Sequence, residues 1–363
     1  AGGRSAILVP GRDALGDFFC SREIASMTAS AGNLDLSASP EWFPLTAGAA
    51  GAGLVRLSEQ DYAAASFLDE RLLKQYARTV TVPAAMLAAA GSSLPAHAHY
   101  LFHLGHVGST LISRLVGGLS PFFALREPAL LRTRVQPADE AAFPLRALLG
   151  LLARTWRADQ RAVIKATSFV SEIGPRILSA DDASRAILIA AHPLAYLRGI
   201  LGGPNSRVEA RTLARERLIR LAGRAPWIAD AQPRSEGEVI AMSWLCEMSS
   251  LAEIARRCPQ RAYWVDFDTF LLDPAAGLSR IARALGAPCH PSDAEALVAG
   301  PIMRQYSKAP EHPYDAALRR EVMQAAEWEH SGEIRSGMTW LAAAANRDPY
   351  VARVIDAAGA ASR

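Results

Sequence analysis

Six residues constrain this chain more than any others: Gly105-His106-Val107-Gly108-Ser109-Thr110. They stand between His99–Leu104, which reads as a short buried strand, and Leu111–Leu119, which reads as a helix with Leu111, Leu115, Val116 and Leu119 on one side. A strand that turns through glycines into a helix N-terminus can bind an anion. Its backbone N–H groups point outward, the helix dipole adds partial positive charge, and glycine lets the backbone approach a ligand. Ser109 and Thr110 add hydroxyl donors. The alternative is an ordinary strand–turn–helix connection. The run is not a regular Walker A loop, because Ser109 stands where that pattern places its Lys.

With 363 residues, half of them hydrophobic, the chain can bury a large core. The residues divide into 1–95, expected to be a mostly helical extension; 96–290, an α/β domain; and 291–363, a loop and long helix packing on the core. In the first part, 40–53 reads as loop and Ser58–Arg78 as helix. In the second, strand patterns end at Leu104, Arg126-Glu127, Lys165, Ala191 and Phe267, each followed by a helical pattern. Such alternation predicts a three-layer α/β fold with a parallel β-sheet, and ligands in such folds bind at the carboxyl ends of strands. Those ends carry the glycine run, Glu127, Lys165-Ala166-Thr167-Ser168, His192 and Asp266–Asp268.

A net charge of +3 gives no sign of a nucleic-acid binder. The four cysteines show no paired spacing and read as reduced thiols, and no apolar run approaches the roughly 20 residues of a membrane span. A cytoplasmic protein with no membrane partner is expected. His97, His99, His103 and His106 invite a metal reading, but strand geometry sends 103 and 106 to opposite faces and no carboxylate or Cys accompanies them. His97 and His99 read as exposed, and His103 as a core or supporting residue.

The strand, Gly-x-x-Gly-Ser-Thr and helix resemble the 5′-phosphosulfate loop of the sulfotransferase family, usually Pro-Lys/Arg-Ser-Gly-Thr-Thr. Alignment on Gly108 puts the family's catalytic Lys/Arg on His106 and its Ser on Val107. Tyr263–Pro274, with the helix to Gly286, is similar to the family's Tyr-Glu-Asp-Leu segment and following Asp-Pro helix. The resemblance spans about residues 96–290. It implies a P-loop-type fold with 3′-phosphoadenosine 5′-phosphosulfate (PAPS) as co-substrate, no metal, and a hydroxyl or amine acceptor on a small molecule or peptide. The donor ligands it implies are Gly105, His106, Val107, Gly108, Ser109 and Thr110. The catalytic residues it implies are Glu127 as base, with Lys165 and His106 stabilising the departing phosphate. The competing readings are an Arg126–Glu127 charge pair or a helix-start carboxylate, and a Lys165 that only snorkels from a strand end.

The family's 3′-phosphate signature falls on Pro193, but its Arg position is Ala191 and its Ser position Gly199. Arg198 is the nearest substitute, followed by the stripe Arg207, Arg211 and Arg215. Arg335-Ser336-Gly337 is similar to the Arg-x-Gly of the family's C-terminal nucleotide motif, and Arg304, Tyr306, Ser307 and Lys308 form a basic loop. Two other functions stay open: a P-loop kinase or nucleotide hydrolase, and a catalytically inactive sulfotransferase-like binding protein.

Overall fold

The computed structural model describes residues 34–37, 39–48, 51–75, 79–135, 143–305 and 315–361. They fall into two compact units. The larger draws on residues up to 191, on 247–316 and on the end of the chain from 356; the smaller on 192–246 and 317–355.

The larger unit contains two sheets. Strands β1 (Trp42–Gly48), β2 (Gly51–Arg56) and β3 (Thr79–Val82) form an antiparallel sheet in that order. Strands β4 (Ala98–His103), β5 (Phe122–Arg126), β6 (Arg161–Lys165), β7 (Ala186–Ala190) and β8 (Ala262–Asp266) form a second sheet in the order β5-β6-β4-β7-β8. All four pairings of this second sheet are parallel, as the strand–helix alternation predicts. Its inner strands β4 and β7 are buried at every residue, which is why β7 reads as an unbroken apolar run and β4 as one interrupted only by His99 and His103. From β4 the chain goes to β5 at one edge; from β7 it goes to β8 at the other. Outgoing connections thus leave the adjacent strands β4 and β7 in opposite directions, the arrangement that opens a crevice at their carboxyl ends.

The antiparallel sheet departs from the loop expected over 40–53. Pro44 lies where the β1–β2 register shifts, and Ala47, Gly48, Gly51, Ala52 and Gly53 fill the facing ends of the two strands, so the run lacks the alternation that marks a strand. The helix expected over 58–78 ends at Ala64, with a second short helix at Leu72–Gln75. Ser58 caps the first helix through a reciprocal capping box with Asp61. The carbonyls that would carry it onward accept hydrogen bonds from arginines distant in sequence: Arg126 reaches Tyr62, Ala63 and Ala65, and Arg114 reaches Ala63 and Ala64.

In the smaller unit, the basic stretch after Gly203 forms two helices, Pro204–Thr212 and Ala214–Ala222. The tail forms Ala316–Glu329 and Ser331–Arg347, with Pro349–Ala361 following, in place of one long helix. Among the described residues, no helix is long and apolar enough to cross a membrane.

Candidate active site at the carboxyl ends of β4, β5 and β6

The glycine run lies directly after β4. Gly105, His106 and Gly108 all adopt left-handed backbone, with φ of 80°, 54° and 64°. Gly108 is the N-cap of the helix Ser109–Gly117 and supplies no side-chain cap. Helical geometry leaves the first N–H groups of such a helix without partners inside it. Val107, Ser109 and Thr110 are buried, and the buried Thr110 hydroxyl has no hydrogen-bond partner among the described residues.

His103, the last residue of β4, holds this turn. Its Nδ1 accepts from the Gly105 N–H at 2.9 Å, so Nε2 carries the proton and donates to the Ala166 carbonyl at 2.8 Å. One neutral imidazole thus ties the first glycine of the loop to the residue after β6. His99 differs from the exposed residue expected: it is buried within β4 and accepts from the Arg185 N–H. Burial, with His97, Arg185 and Arg161 nearby, pushes its pKa down to about 4. Among the described residues no group of three or more His, Cys, Asp or Glu is placed to hold a metal ion.

Gly108 has a second reason to be glycine. A Cβ there would land on the ring of Phe267, the first residue of the helix that follows β8. The missing side chain makes room for an aromatic ring, whereas the sequence suggested room for a ligand. Asp266 caps that helix by accepting from the Thr269 N–H, so the acidic end of β8 has a structural task.

Glu127 follows β5, and its N–H donates to the Lys165 carbonyl at the end of β6. It is left-handed, with φ 50°, although it precedes Pro128. Glu127 and His106 are the two non-glycine residues with positive φ among those described. Such conformations cost of order 1–3 kcal/mol each and persist where the surroundings fix them. Leu68 does this for Glu127: its N–H donates to Arg126 and its carbonyl accepts from Ala129.

Lys165, fully buried, donates through Nζ to Glu127 Oε1. Thr167 donates to Oε2 at 3.2 Å. Arg132 stands 3.9 Å from that oxygen and also bonds Thr167 and Asp69. Burial pushes the Asp69 carboxyl up, but the bonds and charge of Arg71, with Arg132, outweigh it and hold the group below its usual range. The sequence pointed to Glu127 and Lys165 but not to Arg132 or Asp69. Asp69 lies 58 positions before Glu127 in the chain, within a stretch that reads as an ordinary helix. Arg126 does not pair with Glu127; it bonds the carbonyls of Tyr62, Ala63 and Ala65.

The other basic candidates lie elsewhere. Arg198, in the smaller unit, is ion-paired with Glu327. Arg207 and Arg211 both bind Glu236. Ala191 is buried, and a Cβ at Gly199 would meet nothing within 4 Å. Ser336, within the helix Ser331–Arg347, donates to Glu238 on the helix Glu236–Arg257. Arg304 donates to the Ala299 carbonyl, and Tyr306, Ser307 and Lys308 lie outside the described residues.

No family model matches the chain and no curated protein matches it. Among solved structures, it is similar to the sulfotransferase domain from the curacin biosynthetic pathway, at 16% identity over 66% of this chain and 98% of that one, with a TM-score of 0.38. It is also similar to a sulfotransferase from Alicyclobacillus acidocaldarius, at 14% identity over 61% of this chain and 98% of that one, TM-score 0.35. A mouse sulfotransferase complexed with PAP aligns at 11% identity over 74% of this chain and 93% of that one, TM-score 0.41. The α/β assignment rests on the strand order and parallel pairings given above, not on these alignments.

Proposed function

We propose that the chain is a sulfotransferase that moves a sulfuryl group from PAPS to a hydroxyl or amine, with Glu127 as general base. One observation carries this reading. The two non-glycine residues in left-handed backbone, His106 and Glu127, lie in the glycine loop and beside the buried Lys165, at the carboxyl ends of strands in one parallel sheet.

In this reading the amides from His106 to Thr110 and the hydroxyls of Ser109 and Thr110 receive the 5′-phosphosulfate. Glu127 takes the proton of the acceptor as the acceptor atom bonds to sulfur. The bond from sulfur to the phosphate oxygen breaks, and the loop amides meet the charge that builds on that oxygen. Lys165 touches Glu127, so its first task is to hold the base as a carboxylate. Thr167 and Arg132 fix the second oxygen.

The residues present fit the 5′ end of PAPS better than its 3′-phosphate. Ala191 and Gly199 offer no ligand, and Arg198 has Glu327 as partner. That mismatch favours a second reading, a protein that binds a phosphosulfate or related anion without turning it over. A sulfate-transfer assay with PAPS and a panel of phenol, alcohol and amine acceptors tests the proposal. Transfer by the parent chain and its loss in Glu127→Gln would support catalysis; binding without transfer to any acceptor would support the second reading.

A further inference from the structure

A cavity of about 360 Å³ lies along the edge strand β5, within the larger unit, on a part of the molecule that the proposed reaction does not use. Its walls include Leu119 and Phe122, with Glu59 as the one acid, and three arginines: Arg114, Arg126 and Arg157. Volumes of this order suit small organic ligands.

Arg126 is the decisive residue. It is 3% exposed and hydrogen-bonds only backbone carbonyls, through Nε and Nη2. Its Nη1 has no partner among the described residues. Among the described residues no carboxylate forms an ion pair with it; burial, with Arg114 beside it, pushes its pKa down to about 9. A buried guanidinium without a counter-ion is expensive, and an anion able to reach it recovers that cost as a charge-assisted hydrogen bond. Arg157, also in the wall, is exposed and its charge is met by Glu59 at 3.7 Å and Asp159 at 3.5 Å, so the recognition rests on Arg126 and Arg114. Leu119 and Phe122 offer apolar surface to the remainder of a ligand.

We propose that this cavity is a second binding site, separate from the glycine loop, for a small organic anion that joins a carboxylate, phosphonate or phosphate head to an aromatic or aliphatic body. Phenylphosphonate serves as the probe, with neutral benzyl alcohol of similar size as control, both titrated calorimetrically into the full chain held at saturating 3′,5′-ADP.

The expected result is one phenylphosphonate per chain, no measurable benzyl alcohol binding, and roughly tenfold weaker phenylphosphonate binding in Arg126→Lys, whose ammonium cannot reproduce the guanidinium fork. Ser120→Trp, at an exposed position lining the same cavity, should also block the probe, and it keeps the test valid if Arg126→Lys fails to fold. Equal binding of the neutral control, unchanged affinity in Ser120→Trp, or competition by 3′,5′-ADP would overturn the proposal.

Discussion

A buried hydroxyl without a hydrogen-bond partner destabilises a fold by about 1–3 kcal/mol, and Thr110 carries one in the first turn of the loop helix. Valine has nearly the same shape without the hydroxyl. If Thr110 faces a ligand oxygen, Thr110→Val should raise stability to urea by about 1 kcal/mol and weaken 3′,5′-ADP binding. A variant that loses stability and keeps its affinity would assign the hydroxyl to packing. The Glu127–Lys165 pair makes a sharper demand. Glu127→Gln should cut turnover about 10²–10⁴-fold, the range for a general base. It should also destabilise the fold by about 3 kcal/mol, because it leaves the buried Lys165 charge without its carboxylate. The double variant Glu127→Gln/Lys165→Met should regain much of that stability and none of the activity, as read by urea unfolding beside the sulfate-transfer assay. His99 sets a pH dependence. Its folded pKa of about 4 lies below the ordinary 6.5, so the unfolded chain binds the proton first as pH falls. Its contribution is complete above about pH 6.5 and is lost toward pH 4, amounting to about 3 kcal/mol over that window. His99→Asn, which can still accept from the Arg185 N–H, should flatten this part of the stability–pH curve; a curve unchanged from the parent would mean that His99 is not the group responsible.

Elements decide how these residues meet. The loop conformation depends on two contacts, the His103 ring between Gly105 and Ala166 and the Phe267 ring against Gly108, and the Glu127 backbone on a third, Leu68 bracketing it. Gly108→Ala should destabilise the chain by about 2–3 kcal/mol, from left-handed backbone and collision with Phe267 together. Phe267→Leu in the same chain should restore part of that loss, which a ligand-only role for Gly108 would not allow. The strands of the parallel sheet were legible in the sequence because β4 and β7 are buried on both faces and so are largely apolar, His99 and His103 being the two exceptions. Strands β1 and β2 were not, because Pro44 interrupts the first and the Ala and Gly residues from Ala47 to Gly53 make their facing ends match a loop. The early end of the helix after Ser58 was equally hidden, since arginines about 50–60 residues away in the chain take its last carbonyls. Local pattern carries no information about such partners.

At the scale of the molecule, the topology of the larger unit decides which of these groups can meet. The carboxyl ends of β4, β5 and β6 gather a glycine turn, a carboxylate and a buried ammonium, and the sequence alone singled out all three. It did not single out Arg132, which reaches Glu127 and Thr167, nor Asp69, which holds Arg132, nor the use of Arg198, Arg207 and Arg211 as ion-pair partners in the smaller unit. Those pairings leave the 3′-phosphate of PAPS without an evident ligand among the described residues, so adenosine 5′-phosphosulfate should bind within about tenfold of PAPS, a difference of about 1.4 kcal/mol. A much larger preference for PAPS in competition titrations would show that a 3′-phosphate ligand exists. In the proposed reaction the glycine loop binds a 5′-phosphosulfate through amides and hydroxyls without a metal ion. Calorimetric titration of the full chain with 3′,5′-ADP and with ATP, each with Mg²⁺ and with EDTA, tests it most directly. The expected result is 3′,5′-ADP binding that is indifferent to Mg²⁺ and about tenfold weaker in Thr110→Val. Binding of ATP only with Mg²⁺, and no binding of 3′,5′-ADP, would contradict it.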